Sequence, residues 1–157
     1  MRLLCDEMLG KLARWLRLLG LDVAYVQGVG DAELLRRAGE EGRLLLTRDA
    51  ALAAQAPPGS ALRVQALEPE AQLREVVRAL ALPVRPERIL TRCSVCNTPL
   101  LPARAEEVKD RVPPAVRASE RAYWRCPGCG RAYWRGTHVE RIEAALRDLA
   151  AEQERGP

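Results

Sequence analysis

Two sets of residues in this 157-residue chain have types and spacings that could do chemistry. One is a pair of C-x-x-C knuckles, Cys93/Cys96 and Cys126/Cys129, separated by 29 residues. Four thiolates in paired knuckles suit tetrahedral coordination, usually of zinc, and four protein ligands leave no open position, so the metal would be structural. A redox role would need only one C-x-x-C, and neither pair lies in a strand-to-helix turn; iron is the competing metal. The other set is three aspartates: Asp6 and Asp49 at the ends of apolar stretches, and Asp31 after an apolar stretch and a Gly-rich turn. Carboxylates gathered at one place bind Mg²⁺ or Mn²⁺, and such an ion can generate hydroxide and neutralise charge during phosphodiester cleavage.

The elements that would position these groups follow from periodicity. Leu3 to Cys5 reads as a short strand and Met8 to Leu19 as a helix ended by Gly20. Val23 to Val26 reads as a second strand. A Gly28-Val-Gly30 turn leads to a helix from Asp31 to Gly42. Leu44 to Thr47 is a third strand followed by a helix to Ala54, Leu62 to Leu67 a fourth, and Glu70 to Leu82 a last helix. Strand–helix alternation with short connections implies a parallel sheet covered on both faces. The carboxyl ends of parallel strands share one edge, so all three aspartates are expected on one side. Each also stands just before a helix, where aspartate is a favoured N-cap, so capping competes with metal binding at every one of them.

Pro83 and Pro86 mark a linker, after which the composition changes: four of five cysteines, two of three tryptophans and two of three tyrosines follow residue 90. The expected organisation is a domain over residues 1–82, a linker over 83–90, a metal ribbon over 91–138, and a C-terminal helix and tail over 139–157. Val139, Ile142, Leu146 and Leu149 give that helix its apolar face. The sequence RAYWR occurs at Arg121–Arg125 and again at Arg131–Arg135. Along a strand one side chain of each YW pair should pack inward and its neighbour outward, either as a platform for unpaired bases or as glue for the first domain.

Hydrophobic residues at 48% indicate a globular chain. No apolar run approaches the ~20 residues that span a bilayer. The start MRLLCDE lacks a secretory pattern, so a cytosolic protein is expected. The net charge of +4 is uneven, with thirteen basic against twelve acidic residues up to Leu90 and nine against four from Thr91 to His138. That bias fits a polyanion, and 23 arginines against two lysines fit either phosphate contacts or a GC-rich genome. Lys11, Arg14 and Arg17 recur every third residue on the first helix, and Arg48 adjoins Asp49; together they could position a nucleic-acid backbone. A dinucleotide loop is rejected because the third glycine falls on Glu33. Cys5 reads as a small buried hydrophobe. His138, the single histidine, has a structural role by default and is not needed for the metal.

The runs CDEMLGKLARWLRLLGLDVAY, DAELLRRAGEEGRLLLTRDAAL, CSVCNTPL and CPGCGRAYWRGTH resemble the Mut-seven C-terminal RNase family, over about residues 2 to 145. The resemblance implies a PIN-like three-layer α/β sandwich with a short parallel sheet, joined to a zinc ribbon. It further implies metal-dependent cleavage of single-stranded RNA, with Asp6, Asp31 and Asp49 as Mg/Mn ligands and Arg14 and Arg17 as basic helix positions. Many PIN nucleases carry a further acid on an intervening helix; it has no clear counterpart here, leaving Glu7 or Glu33 as substitutes. A non-catalytic RNA-binding adaptor, with its aspartates as caps only, is the rival reading. The toxin half of a toxin–antitoxin pair is a third.

Overall fold

The computed structural model describes residues 1–119 and 122–155. Arg121, which opens the first RAYWR copy, and the tail at 156–157 lie outside the described residues. Four short strands, β1 (Arg2–Cys5), β2 (Asp22–Tyr25), β3 (Leu44–Thr47) and β4 (Ala61–Arg63), form one parallel sheet in the order β2-β1-β3-β4. A 3₁₀ turn (Glu7–Leu9) and α1 (Gly10–Leu18) follow β1, α2 (Asp31–Glu40) follows β2, α3 (Ala50–Gln55) follows β3, and α4 (Pro69–Ala79) follows β4. The fourth strand begins one residue before the expected Leu62–Leu67 and ends at Arg63, four residues short of it. Beyond Arg63 the backbone N–H groups of Gln65 and Ala66 bond to the Glu75 carboxylate instead of a neighbouring strand.

Strand alternation sorts the leucines onto two faces. Leu3, Cys5 and Leu46 meet α1 and α4 on one face, while Leu4 and Leu45 meet Leu34 and Ala38 of α2 and Leu52 of α3 on the other. The C-terminal helix α7 (Thr137–Arg155) belongs to the first face. Its Val139, Ile142, Leu146 and Leu149 are at most 3% exposed, against α4. Each such side chain contributes about 1.5–3 kcal/mol on burial. The last helix therefore completes the core that the first four strands begin.

The segment 83–90 contains a 3₁₀ turn (Pro86–Arg88) and runs against the end of α1. Leu90 N–H donates to the Leu18 carbonyl at 2.9 Å, and Ile89 and Leu90 are buried in the same core. Gly20 permits this contact. It holds φ +82°, and a Cβ there would come 2.7 Å from the Arg88 carbonyl oxygen.

The ribbon is an antiparallel sheet of β5 (Leu101–Ala103), β6 (Tyr123–Arg125) and β7 (Ala132–Tyr133), with α5 (Ala105–Val108) and α6 (Pro114–Ser119) between β5 and β6. Trp124 pairs with Tyr133 across β6 and β7, and both pack on the main core. Tyr123 and Trp134 pack on the other side, around Val108 and Val112. The gluing role thus falls to Trp124 and Tyr133. No helix among the described residues is long and apolar enough to cross a membrane.

Candidate functional site

Asp6 and Asp49 are brought together by a residue that the sequence reading did not single out. The Thr47 hydroxyl donates to Asp6 Oδ2 and accepts the Asp49 backbone N–H at 3.0 Å. The adjacent strands make this possible: β1 and β3 pair in register to Cys5 and Leu46, and Asp6 N–H continues the ladder to the Leu46 carbonyl at 3.2 Å. Thr47 is fully buried and Asp6 is 5% exposed, whereas Asp49 opens to solvent. A polar residue closing a strand of three leucines was the available signal.

Capping accounts for two of the aspartates. Asp6 Oδ1 accepts from Met8 N at 3.0 Å, and Asp49 Oδ1 accepts from Ala51 N and Leu52 N at 2.7 and 3.1 Å. At Asp49 both capping bonds fall on one oxygen. Asp31 departs from the capping expectation, because the N-cap position of α2 is Gly30 and Asp31 is the exposed first helical residue. Its loop is tied to the Asp6 side by the neighbouring acid. Glu7 Oε2 accepts the Gly28 N–H at 3.1 Å, and the Tyr25 hydroxyl donates to the Glu7 carbonyl at 2.9 Å. Glu33 is engaged elsewhere: hydrogen bonds from Arg36 and then Arg37 hold its carboxyl down to about 2. Of the two substitute acids, Glu7 is the one hydrogen-bonded to the Gly28 loop, while Glu33 in the first turn of α2 is bonded to arginines of its own helix.

The aspartate oxygens do not close to the spacing of the thiolates. Among the described residues, Cys93, Cys96, Cys126 and Cys129 are the group of three or more candidate ligands lying within 4.8 Å of one another. Their sulfurs approach to 3.6 Å (Cys93–Cys129) and 3.3 Å (Cys96–Cys126), near the ~3.8 Å expected across a tetrahedron with 2.3 Å metal–sulfur bonds. Each knuckle folds the same way. Cys96 N and Cys129 N face the first sulfur of their pair at 3.4 Å, and a left-handed residue follows, Asn97 at φ +67° and Gly130 at φ +76°. The Thr98 hydroxyl beside Cys96 holds that thiol down, to about 6. This donor set fits a metal such as zinc.

The first knuckle docks on the free edge of the large sheet. β2 is an edge strand, and the outward backbone groups of Val23 are both taken: its N–H by Asn97 Oδ1 at 3.1 Å and its carbonyl by Arg17 Nε at 2.8 Å. Arg17 Nη1 also donates to the Ser94 and Val95 carbonyls at 3.1 and 2.8 Å. Asn97 Nδ2 and Arg43 Nη1 meet on Asp22 Oδ1, each at 2.8 Å. Arg17, expected beside Lys11 and Arg14 on a surface for RNA, is 6% exposed and serves this contact. The reason is geometric. Three residues fall about 60° short of a full helical turn, so Arg17 lies about 120° round the helix from Lys11.

Lys11 and Arg14 are exposed, and Lys11 Nζ sits 5.2 Å from the centre of the Trp15 ring. Arg48 is half-buried beside Asp49, with a buried Nε that has no hydrogen-bond partner. His138 is exposed in the first turn of α7. Cys5 is fully buried, and burial pushes its thiol up, as a structural cysteine requires.

A family described as "Mut7-C RNAse domain" matches residues 1–146. A human protein, "Exonuclease mut-7 homolog", is 38% identical over 104 residues, covering 61% of this chain. The chain spans about 12% of that relative's length. No solved structure matches significantly.

Proposed function

The chain belongs to the Mut7-C RNAse domain family, and on that premise we propose that it is a divalent-metal-dependent ribonuclease cutting phosphodiester bonds of single-stranded RNA. The observation that carries this reading is the pairing of Asp6 and Asp49 through Thr47 at the carboxyl edge of a four-stranded parallel sheet, where ligands of such sheets bind. Residues 1–82 carry the chemistry in a PIN-like arrangement, and residues 91–138 form the zinc ribbon.

The donor set at the edge is all hard oxygen, and the Asp49 oxygen opposite its caps is available, which fits Mg²⁺ or Mn²⁺. Asp6, Asp49 and Asp31 would hold the ion, with water and substrate phosphate completing the shell, as their wide spacing requires. When bound, the ion supplies hydroxide and neutralises charge. Thr47 fixes the rotamer of Asp6, Glu7 holds the Gly28 loop towards it, and Lys11, Arg14 and Arg48 position the RNA backbone. Arg17 braces the ribbon.

End-labelled single-stranded RNA with Mn²⁺ or Mg²⁺, wild type beside Asp49→Asn, tests the reading. Asparagine keeps a capping oxygen but weakens metal binding. Metal-dependent cleavage lost in the variant at unchanged melting temperature is expected. RNA binding without cleavage by wild type would leave a binding protein with capped helices.

A further inference from the structure

A groove of about 380 Å³ runs between α1, the β6–β7 hairpin and the start of α7. Lys11 and Arg14 of α1 and His138 of α7 line it, together with Trp15, Tyr133 and Trp134. Trp15 is nearly buried, so the half-buried Tyr133 and Trp134 supply the aromatic surface. No carboxylate is among its lining residues. We infer that this groove is a nucleotide subsite for single-stranded RNA, one base lying on Trp134 and the flanking phosphates meeting Arg14, Lys11 and His138.

Charge and shape favour this occupant. The groove has the size of a site for one small ligand, and its mixture of ring faces and cations matches the alternation of base and phosphate along a single strand. Aromatic stacking tolerates any base, because every base has a π-face. The Trp134 ring is held in place by the turn after it. A Cβ on Gly136 would approach Trp134 Nε1 to 2.9 Å, so glycine there allows the indole to lie close over the backbone. Lys11 is held at the groove by its contact with Trp15.

The groove also has a direction. Lys11 is in the first turn of α1, the helix that follows the turn capped by Asp6, so the Lys11 end lies nearest the acidic edge. A strand anchored at Trp134 leads past Arg14 and Lys11 towards Asp6 and Asp49. That direction rests on the nuclease reading, whereas binding in the groove does not.

The test is binding of a fluorescent ten-residue oligouridylate to the full-length protein carrying Asp49→Asn, with and without a second change. Trp134→Ala and Arg14→Ala should each weaken binding about tenfold, Trp134→Phe should keep it within about threefold, and a duplex of equal length should bind less tightly. Melting temperatures identify any variant that has unfolded, and Arg14→Ala, on an exposed site, serves if Trp134→Ala does not fold. Unchanged binding by folded Trp134→Ala or Arg14→Ala overturns the inference and leaves the groove to another kind of ligand, such as a peptide. Wild-type protein that binds through Trp134 but never cuts removes the nuclease reading and leaves the groove standing.

Discussion

The Thr47 hydroxyl bonds the carboxylate of Asp6, across two paired strands and 41 residues of chain. Through the same oxygen it receives the Asp49 N–H, so one side chain sets the spacing of two acids. Thr47→Val should therefore leave a buried acceptor on Asp6 and an unpaired amide at Asp49, costing about 1–3 kcal/mol. Cleavage should fall roughly ten- to a hundredfold, as when an outer-shell partner of a metal ligand is lost. Thr47→Ser, which restores the hydroxyl, should recover most of it. Equal rates for all three proteins would remove Thr47 from the site.

Capping and catalysis at Asp49 separate by substitution. Asp49→Ala should lose about 1 kcal/mol of stability, because the N–H groups of Ala51 and Leu52 lose their acceptor. Asp49→Asn should stay within a few tenths of that energy of wild type, and both should lose cleavage. Paired thermal melts and gel assays decide it; an active Asp49→Asn protein would mean that this carboxylate is a cap alone.

Arg14 and Arg17 lie three residues apart and should behave as opposites. Arg17→Ala leaves the Val23, Ser94 and Val95 carbonyls without their donor and should cost about 3 kcal/mol or more. Lysine should not rescue it, since one ammonium cannot reproduce the planar fork that spans them. Arg14→Ala, on an exposed position, should change stability by less than about 0.5 kcal/mol while weakening RNA binding. Denaturant titration measures the first pair of effects and oligonucleotide binding the second.

Metal removal should be felt in the large sheet. The carbonyls and the Asn97 side chain that cover β2 belong to the Cys93–Cys96 knuckle. Unbinding the metal lets that knuckle open, because folding and coordination are coupled in such sites. Amide exchange should therefore rise at Val23 after chelation, and also in a Cys93→Ser/Cys96→Ser protein. Exchange that rises only within 91–138 would show that the sheet edge does not depend on the metal.

The C-terminal helix should prove indispensable. Ile142→Ala removes a fully buried side chain and should cost about 2–5 kcal/mol. Truncation before Thr137 should expose Leu73, Val76 and neighbouring core residues and leave no stable first domain, a loss comparable with total stabilities of about 5–15 kcal/mol. Circular dichroism of the truncated chain would reveal this directly.

Local pattern by itself determined much of this protein. Short continuous apolar runs for strands buried on both faces, helices with period 3.6, and glycines at their ends place the strands, the helices between them, and an aspartate after β1 and β3. Two C-x-x-C spacings specify the thiolate cluster, because a knuckle is closed by its own backbone. What needed the tertiary structure is everything set by contact between distant segments. Thr47 looks like one more strand residue until β1 lies beside β3, and Arg17 looks like Arg14 until helix rotation turns it under the ribbon. Residues 83–90 look like a linker until Gly20 lets Leu90 reach the end of α1. The length of β4 was likewise hidden, since the strand-like pattern of Leu62 to Leu67 shows which residues could face inward but not whether a neighbouring strand is present to pair with them. Periodicity reports which side of an element faces inward; only packing decides which residues it meets there.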